Sequence, residues 1–206
     1  MRILLLNPPG RKLYIRDSYC SMTSKTSIYW PPSDLVLQSG ILASEHNVSV
    51  LDANVLRLSS DATIKRIRAI NPDAILFVCG AVSWDEDRVF LKRLKEETSA
   101  KLMGSGDVLQ FSPADALKEN PFIDAILQDF GSHSIIKYLN NPIGSIENIV
   151  HRDGNGITIG DRVRRKETEY WQVPRHELFP LNRYSMPFFL KKPFITTAIS
   201  YGCPYS

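Results

Sequence analysis

Five short apolar runs, each closed by a turn and followed by a stretch of helical periodicity, restrict this chain more than any other feature. They are Arg2–Leu6, Val48–Leu51, Ala74–Val78, Lys101–Met103 and Ile123–Leu127. Short runs of three to five residues, largely apolar on both alternating positions, are expected of strands covered on both faces, and so of a parallel sheet. The intervening stretches are long enough for crossover helices, which parallel neighbours require. Ser33 or Asp34 is expected to cap a helix reaching about Glu45, with Leu35, Leu37, Ile41 and Leu42 on its apolar side. Asp61 is expected to cap a second helix carrying Ile64, Ile67 and Ile70, and a third over Trp84 to Thr98 shows Val89, Leu91 and Leu94. Ser112-Pro113 marks another start, a cap followed by proline at the first helical position. A last helix passes through Ile135, Ile136 and Leu139. The pattern predicts an α/β fold with a five-stranded parallel doubly wound, flavodoxin-like (Rossmann-like) sheet in the order 2-1-3-4-5. Its ligand crevice is expected at the carboxyl ends of the first and third strands.

The pattern changes after Asn140. Ile146–His151 and Ile157–Asp161 flank Arg152-Asp153-Gly154-Asn155-Gly156, which reads as a β-hairpin with a Gly/Asn-rich turn. From Arg162 to Pro193, prolines at 174, 180, 187 and 193 predict an extended linker that wraps the preceding domain. The segment from Arg11 to Pro32 lacks periodicity but holds Tyr14, Tyr19, Tyr29 and Trp30, as expected of an ordered loop lying over something. The organisation predicted is therefore an α/β domain over 1–140, a hairpin and proline-rich linker over 141–193, and the start of a further domain over 194–206.

Composition excludes several classes. Hydrophobic residues make up 43% and charged ones 23% of the 206, ordinary for a globular protein, and the formal net charge is only +3. The densest basic cluster, Arg162, Arg164, Arg165 and Lys166, reads as a solvated edge rather than a nucleic-acid track. Cys20, Cys79 and Cys203 are odd in number and far apart, which argues against a disulfide framework and for a reducing, cytoplasmic setting. The apolar start is ended by Asn7-Pro8-Pro9, fitting a buried strand better than a signal peptide, and no stretch reaches membrane-spanning length. His46, His133, His151 and His176 are scattered and read as surface residues.

The end of the chain carries the most specific string. Ile195 to Ser200 reads as a buried strand, and Tyr201-Gly202-Cys203-Pro204-Tyr205-Ser206 would present a thiol at its carboxyl end. This resembles the entrance to a radical S-adenosylmethionine (SAM) domain, where a first strand runs into S-R-G-C-P-Y-x-C-x-x-C and three cysteines hold a [4Fe–4S] cluster. Tyr201 stands where that family usually has Arg, and the second cysteine would fall one residue beyond Ser206. The upstream motifs resemble the cobalamin-binding-domain class of radical SAM enzymes, which includes methyltransferases and the anaerobic porphyrin-ester cyclase type. Asn7-Pro8-Pro9 matches its N-P-P after strand one, Asp52-Ala53 its V-L-D-A, and Asn71-Pro72-Asp73 its P-D before strand three. Gly104-Ser105-Gly106 stands where the class has a Gly-Gly turn. Asp124 and Gly131 keep the register of V-D-x-V-V-x-G-E-G-E, of which Asp129-Phe130-Gly131-Ser132 retains only the glycine.

The resemblance implies a cobalamin lying over the strand ends, with Asn7, Pro8, Pro9, Asp52, Ser83, Gly104, Ser105, Gly106 and Gly131 as candidate cofactor-binding residues. It implies Cys203 as a cluster ligand once the rest of a radical SAM domain, with SAM, is present. A D-x-H-x-x-G signature is absent, so cobalt ligation by a protein histidine is not expected. The alternative is a cobalamin-free, non-catalytic module that covers the radical SAM barrel and recognises a substrate or partner. The strand-end glycines also have an ordinary reading as tight turns. Other ligand-binding loops fail: Leu109 occupies the third glycine position of G-x-G-x-x-G, no phosphate loop occurs, and Cys79-Gly80 stands where a receiver domain needs Asp.

Overall fold

The computed structural model describes residues 1–18, 21–25, 28–154, 156–163, 172–188 and 193–197. The first strand, β1 (Arg2–Asn7), is buried from Ile3 onward. A two-stranded antiparallel ribbon, β2 (Tyr14–Ile15) with β3 (Met22–Thr23), stands in the segment where sequence periodicity shows only a loop. Then follow α1 (Ser33–Ala43), β4 (Asn47–Asp52), α2 (Ser60–Ile70), β5 (Ala74–Val78), α3 (Trp84–Glu97) and β6 (Lys101–Ser105). After β6 come α4 (Asp107–Gln110), α5 (Pro113–Glu119), β7 (Ala125–Leu127) and α6 (Ser134–Asn140), then β8 (Ile149–Asp153) and β9 (Gly156–Ile159).

Seven strands form one sheet in the order β4-β1-β5-β6-β7-β8-β9. The first five are parallel and follow the expected 2-1-3-4-5 winding. The sheet does not stop at five strands. β8 pairs antiparallel with β7, Ile126 opposite Val150, and β9 pairs with β8, so the hairpin extends the sheet instead of standing beside it. A β7 of three residues leaves an open ladder of backbone groups on one side, and the hairpin satisfies it.

Strand alternation sorts the core into two layers. Ile3, Leu5, Leu76 and Val78 face α1 and α6, whereas Leu4, Leu6, Ile75 and Phe77 face α2 and α3. Three helix details differ from expectation. Ser59, not Asp61, caps α2, its hydroxyl accepting from the Ala62 N–H. In α3 the buried stripe is Asp87, Phe90, Leu91 and Leu94, while Val89 is 69% exposed. Asp34 does not cap α1; it lies inside the first turn with its carboxylate buried. His151 is also not at the surface. It is fully buried, with Nε2 3.0 Å from the Gly144 carbonyl and its ring tilted against Tyr138.

Residues 172–188 run back over α1 through two short 3-10 turns, His176–Leu178 and Leu181–Arg183. The Arg175 N–H donates to Ser39 Oγ, Tyr29 and Ser185 exchange two backbone hydrogen bonds, and Phe179 and Tyr184 are buried. The Tyr184 hydroxyl donates to Asp52 Oδ2 at 3.0 Å. Replacing Tyr184 with Phe keeps the ring but removes that charge-assisted bond, so a loss of about 1–3 kcal/mol is expected in urea unfolding. An unchanged midpoint would show that Asp52 does not depend on residue 184. Of the strand expected from Ile195, residues 195–197 pair with no sheet, and Ala198 to Ser206 lie outside the described residues. Among the described residues, no helix is long and apolar enough to cross a membrane.

Candidate functional site

The parallel strands of a doubly wound sheet deliver their carboxyl ends to one rim, and between β1 and β5 the chain leaves to opposite faces. Five expected residues stand at this rim in the β1, β4 and β6 ends: Asn7, Asp52, Gly104, Ser105 and Gly106. Pro8 and Pro9 continue from β1, and Ser83 precedes α3.

What gathers them is Arg16, which sequence reasoning passed over. The ribbon that follows β1 folds back across the strand ends and inserts this side chain, 2% exposed, between β1 and α3. Arg16 Nη2 donates to Asp87 Oδ1 at 2.6 Å and Nε to Asp87 Oδ2 at 3.0 Å, a bidentate ion pair with both side chains fully buried. Nη1 reaches Asn7 Oδ1 at 2.9 Å and the Pro8 carbonyl at 3.1 Å; Nη2 also faces the Pro9 carbonyl at 3.5 Å, and Nε is 3.0 Å from Ser83 Oγ. Ser83 Oγ in turn donates to Asp87 Oδ2 at 2.6 Å. Burial pushes the Asp87 carboxyl up, and the Arg16 guanidinium opposes that rise.

Asn7 links this cluster to the next. Its Nδ2 donates to Asp52 Oδ1 at 2.9 Å, an oxygen that also accepts the Val55 N–H at 2.9 Å. Burial raises the Asp52 carboxyl to about 6 despite those donors. A third cluster surrounds Asp34, whose Oδ2 accepts from Ser18 Oγ and, at 3.2 Å, from Ser105 Oγ. Gln110 Nε2 adds contacts to Ser18 Oγ, Ser105 Oγ and the Leu127 carbonyl. With no cation in contact among the described residues and Asp17 nearby, burial raises Asp34 to about 7.

The polar side chains of Asn7, Asp52, Ser83 and Ser105 are thus spent on one another and on Arg16, Asp34 and Tyr184; they build a floor. The glycines shape it. Gly106 has φ of +131°, and a Cβ there would stand 2.0 Å from the Cys79 carbonyl oxygen, so no other residue fits. A Cβ on Gly104 would meet Leu109 and Phe77 at 2.4 and 2.8 Å. Gly131 is buried in the turn after β7, its N–H held by Asp129 Oδ1 at 2.8 Å. Cys79 is fully buried, and burial pushes its thiol well up, which leaves it inert. Cys203 and Cys20, and Arg164, Arg165 and Lys166 of the basic cluster, lie outside the described residues. Among the described residues no group of three His, Cys, Asp or Glu side chains is placed to hold a metal ion.

Beside the floor opens a recess of about 730 Å³, bordered by Pro9 and Gly10 from β1, Ser59 at the start of α2, and Glu86 and Phe90 of α3. The loops at this end also expose apolar side chains: Val82 after β5, Phe111 after α4 and Met22 on the ribbon are 47%, 93% and 44% exposed. A signal for the missed residues exists. Asp87 is in register with the apolar stripe of α3, and Asp34 and Gln38 with that of α1. A polar residue at a core position of an amphipathic helix has to find a buried partner.

The doubly wound sheet is a class of fold shared with cobalamin-dependent radical SAM enzymes. The structure is similar to apo OxsB, a cobalamin-dependent S-adenosylmethionine radical enzyme, with a TM-score of 0.60 and 18% identity over 89% of this chain and 25% of that one. It is similar also to TsrM, a radical S-adenosylmethionine methyltransferase from Kitasatospora setae, with a TM-score of 0.58 and 14% identity over 84% of this chain and 31% of that one. In sequence, the tRNA-2-methylthio-N(6)-dimethylallyladenosine synthase of Bacillus subtilis is 28% identical over 182 residues, 79% of this chain and 30% of that protein. An uncharacterized methyltransferase of Pyrococcus horikoshii, PH0819, is 23% identical over 216 residues, all of this chain and 44% of that protein. No protein-family model matches. The chain therefore spans less than half the length of these curated relatives.

Proposed function

We propose that this chain is the N-terminal cobalamin-binding domain of a radical SAM enzyme of the methyltransferase or cyclase type. A [4Fe–4S] cluster and SAM would be carried by a radical SAM domain that begins near residue 194 and takes Cys203 as its first cluster ligand. The observation that carries the reading is the doubly wound sheet, whose parallel strands bring Asn7, Asp52 and Ser105 to one rim, with a recess opening beside it between the turn after β1, the start of α2 and α3. Val82, Phe111 and Met22, exposed on loops at the same end of the sheet, would offer apolar contact to the broad faces of a corrin. Two of the solved neighbours support it, because OxsB and TsrM have been obtained with cobalamin bound.

On this reading the floor residues do not grip the cofactor. Pro9 and Gly10 would border it, Gly104 and Gly106 let β6 and its turn pack against Phe77, Leu109 and Cys79 beneath, and Asn7, Asp52, Ser83 and Ser105 would hold the strand ends still. Cobalamin, when bound, would supply methyl transfer or corrinoid-assisted radical chemistry; the protein would supply position and access. Asn7, Asp52, Ser83 and Ser105 carry no imidazole, so these residues would offer cobalt no histidine ligand.

One observation favours a second reading, in which the fold is kept without cobalamin as a module that covers the radical SAM barrel. The polar atoms at the strand ends are already paired with Arg16, Asp34 and Tyr184, leaving few for a ligand. Mixing the protein with hydroxocobalamin, desalting it and recording the visible spectrum separates the two. Retained corrinoid with a spectrum lacking histidine ligation is expected. Complete loss of colour from protein whose thermal unfolding is cooperative would support the cobalamin-free module.

A further inference from the structure

We infer that a second small-molecule site, for an oxyanion such as a phosphate or carboxylate group, lies at the opposite end of the sheet. An open cavity of about 600 Å³ sits there between the exit of α6 and the end of β8, bordered by Lys101, Asp124, Tyr138, Ile143, Arg152 and Asp153. Three groups on its wall are uncommitted among the described residues. Tyr138 is 2% exposed, yet its hydroxyl takes part in no hydrogen bond, and its place in the cavity wall gives that hydroxyl an outlet. Lys101 forms no ion pair; its Nζ is held 5.4 Å from the centre of the Tyr138 ring. Arg152 spends Nε and Nη2 on the carbonyls of Ile123, Leu117 and Asn120, which fixes the guanidinium and leaves Nη1 unused.

The Tyr138 hydroxyl opens on this cavity as a donor, and the two cations that share its wall favour an acceptor with negative charge. The carboxylates nearby do not fill that role. Asp124 Oδ2 is taken by Lys95 Nζ at 2.6 Å and the Leu102 N–H at 2.7 Å, and Asp153 Oδ2 by Thr158 Oγ1. Counting Lys95, Lys101 and Arg152 against Asp124 and Asp153 leaves one positive charge, which a monoanion balances. Ile143, 78% exposed at the mouth, offers apolar contact for whatever carries the anion.

Calorimetric titration of the full chain with inorganic phosphate at low ionic strength, and separately with acetate, tests the site. Saturable binding of phosphate is expected, weakened about tenfold or more in Lys101→Met and severalfold in Tyr138→Phe, with unfolding midpoints near that of the parent. Phosphate binding without acetate binding assigns the site to phosphate esters, and binding of both assigns it to oxyanions in general. Absence of saturable binding to either, or binding that Lys101→Met and Tyr138→Phe both leave unchanged, would overturn the proposal.

Discussion

Arg16→Met is expected to destabilise the protein by about 3–5 kcal/mol, because it strands a fully buried Asp87 carboxylate without its counter-charge. The same change removes the donors to Asn7 and to the Pro8 carbonyl, so the turn after β1 loses its anchor as well. A domain of this size is stable by about 5–15 kcal/mol, so the variant stands near the edge of folding at physiological temperature. Chemical denaturation reads the loss directly. The double variant Arg16→Met with Asp87→Leu should recover most of it, because a buried pair replaced by apolar groups of similar volume is often neutral. Recovery would place the cost in the uncompensated charge. If the double variant is no more stable than the single one, the loss comes from the Asn7 and Pro8 contacts.

Stability should also fall as pH rises from about 4 to about 7, and Asp34→Asn should abolish much of that slope. Asp34 is raised from 3.8 to about 7 by burial, so between those values the folded state holds a proton that the unfolded state has released. Stability is therefore fully present below pH 4 and is lost on ionisation. The shift corresponds to roughly 4 kcal/mol at most. Asp52, raised to about 6 by burial, adds a slope of the same sign over a narrower window. Denaturant midpoints at pH 5 and pH 8 check this, with the Asn variant expected to be the more stable protein at pH 8. Parallel behaviour of the two proteins would mean that Asp34 ionises without cost in the fold.

The winding of the sheet was readable because its central runs are apolar at successive positions, as burial on both faces requires. Leu4 and Phe77 are apolar wherever they point, and the spacing between their strands admits only a crossover. The extension of the sheet by β8 and β9 was not readable in the same way. Ile149 and Val150 announce a hairpin, but nothing local says that β7 will be three residues long and accept it. Arg16 was hidden for a deeper reason. Its five N–H groups are satisfied by residues 7, 8, 9, 83 and 87, and an isolated arginine in an aperiodic segment gives no sign of such a set. Asn7, Asp52, Ser83 and Ser105 do stand at the strand ends, but Asn7 bonds Asp52, Ser83 bonds Arg16 and Asp87, and Ser105 bonds Asp34, long-range pairings that no local pattern announces. Asp87, in register with Phe90, Leu91 and Leu94, was the legible half of the pair.

The bond from Tyr184 to Asp52 has a consequence beyond its own strength. Tyr184, Asp52, Asn7, Arg16 and Asp87 form an unbroken train of side chains, each holding the next, from the segment after the sheet to the third helix. Every link is buried, so none can let go and find water instead. The segment that follows the sheet is thereby indexed to the loop that crosses the strand ends. Whatever moves residue 184 is therefore linked, through Asp52 and Asn7, to Arg16 and the turn that carries Pro9.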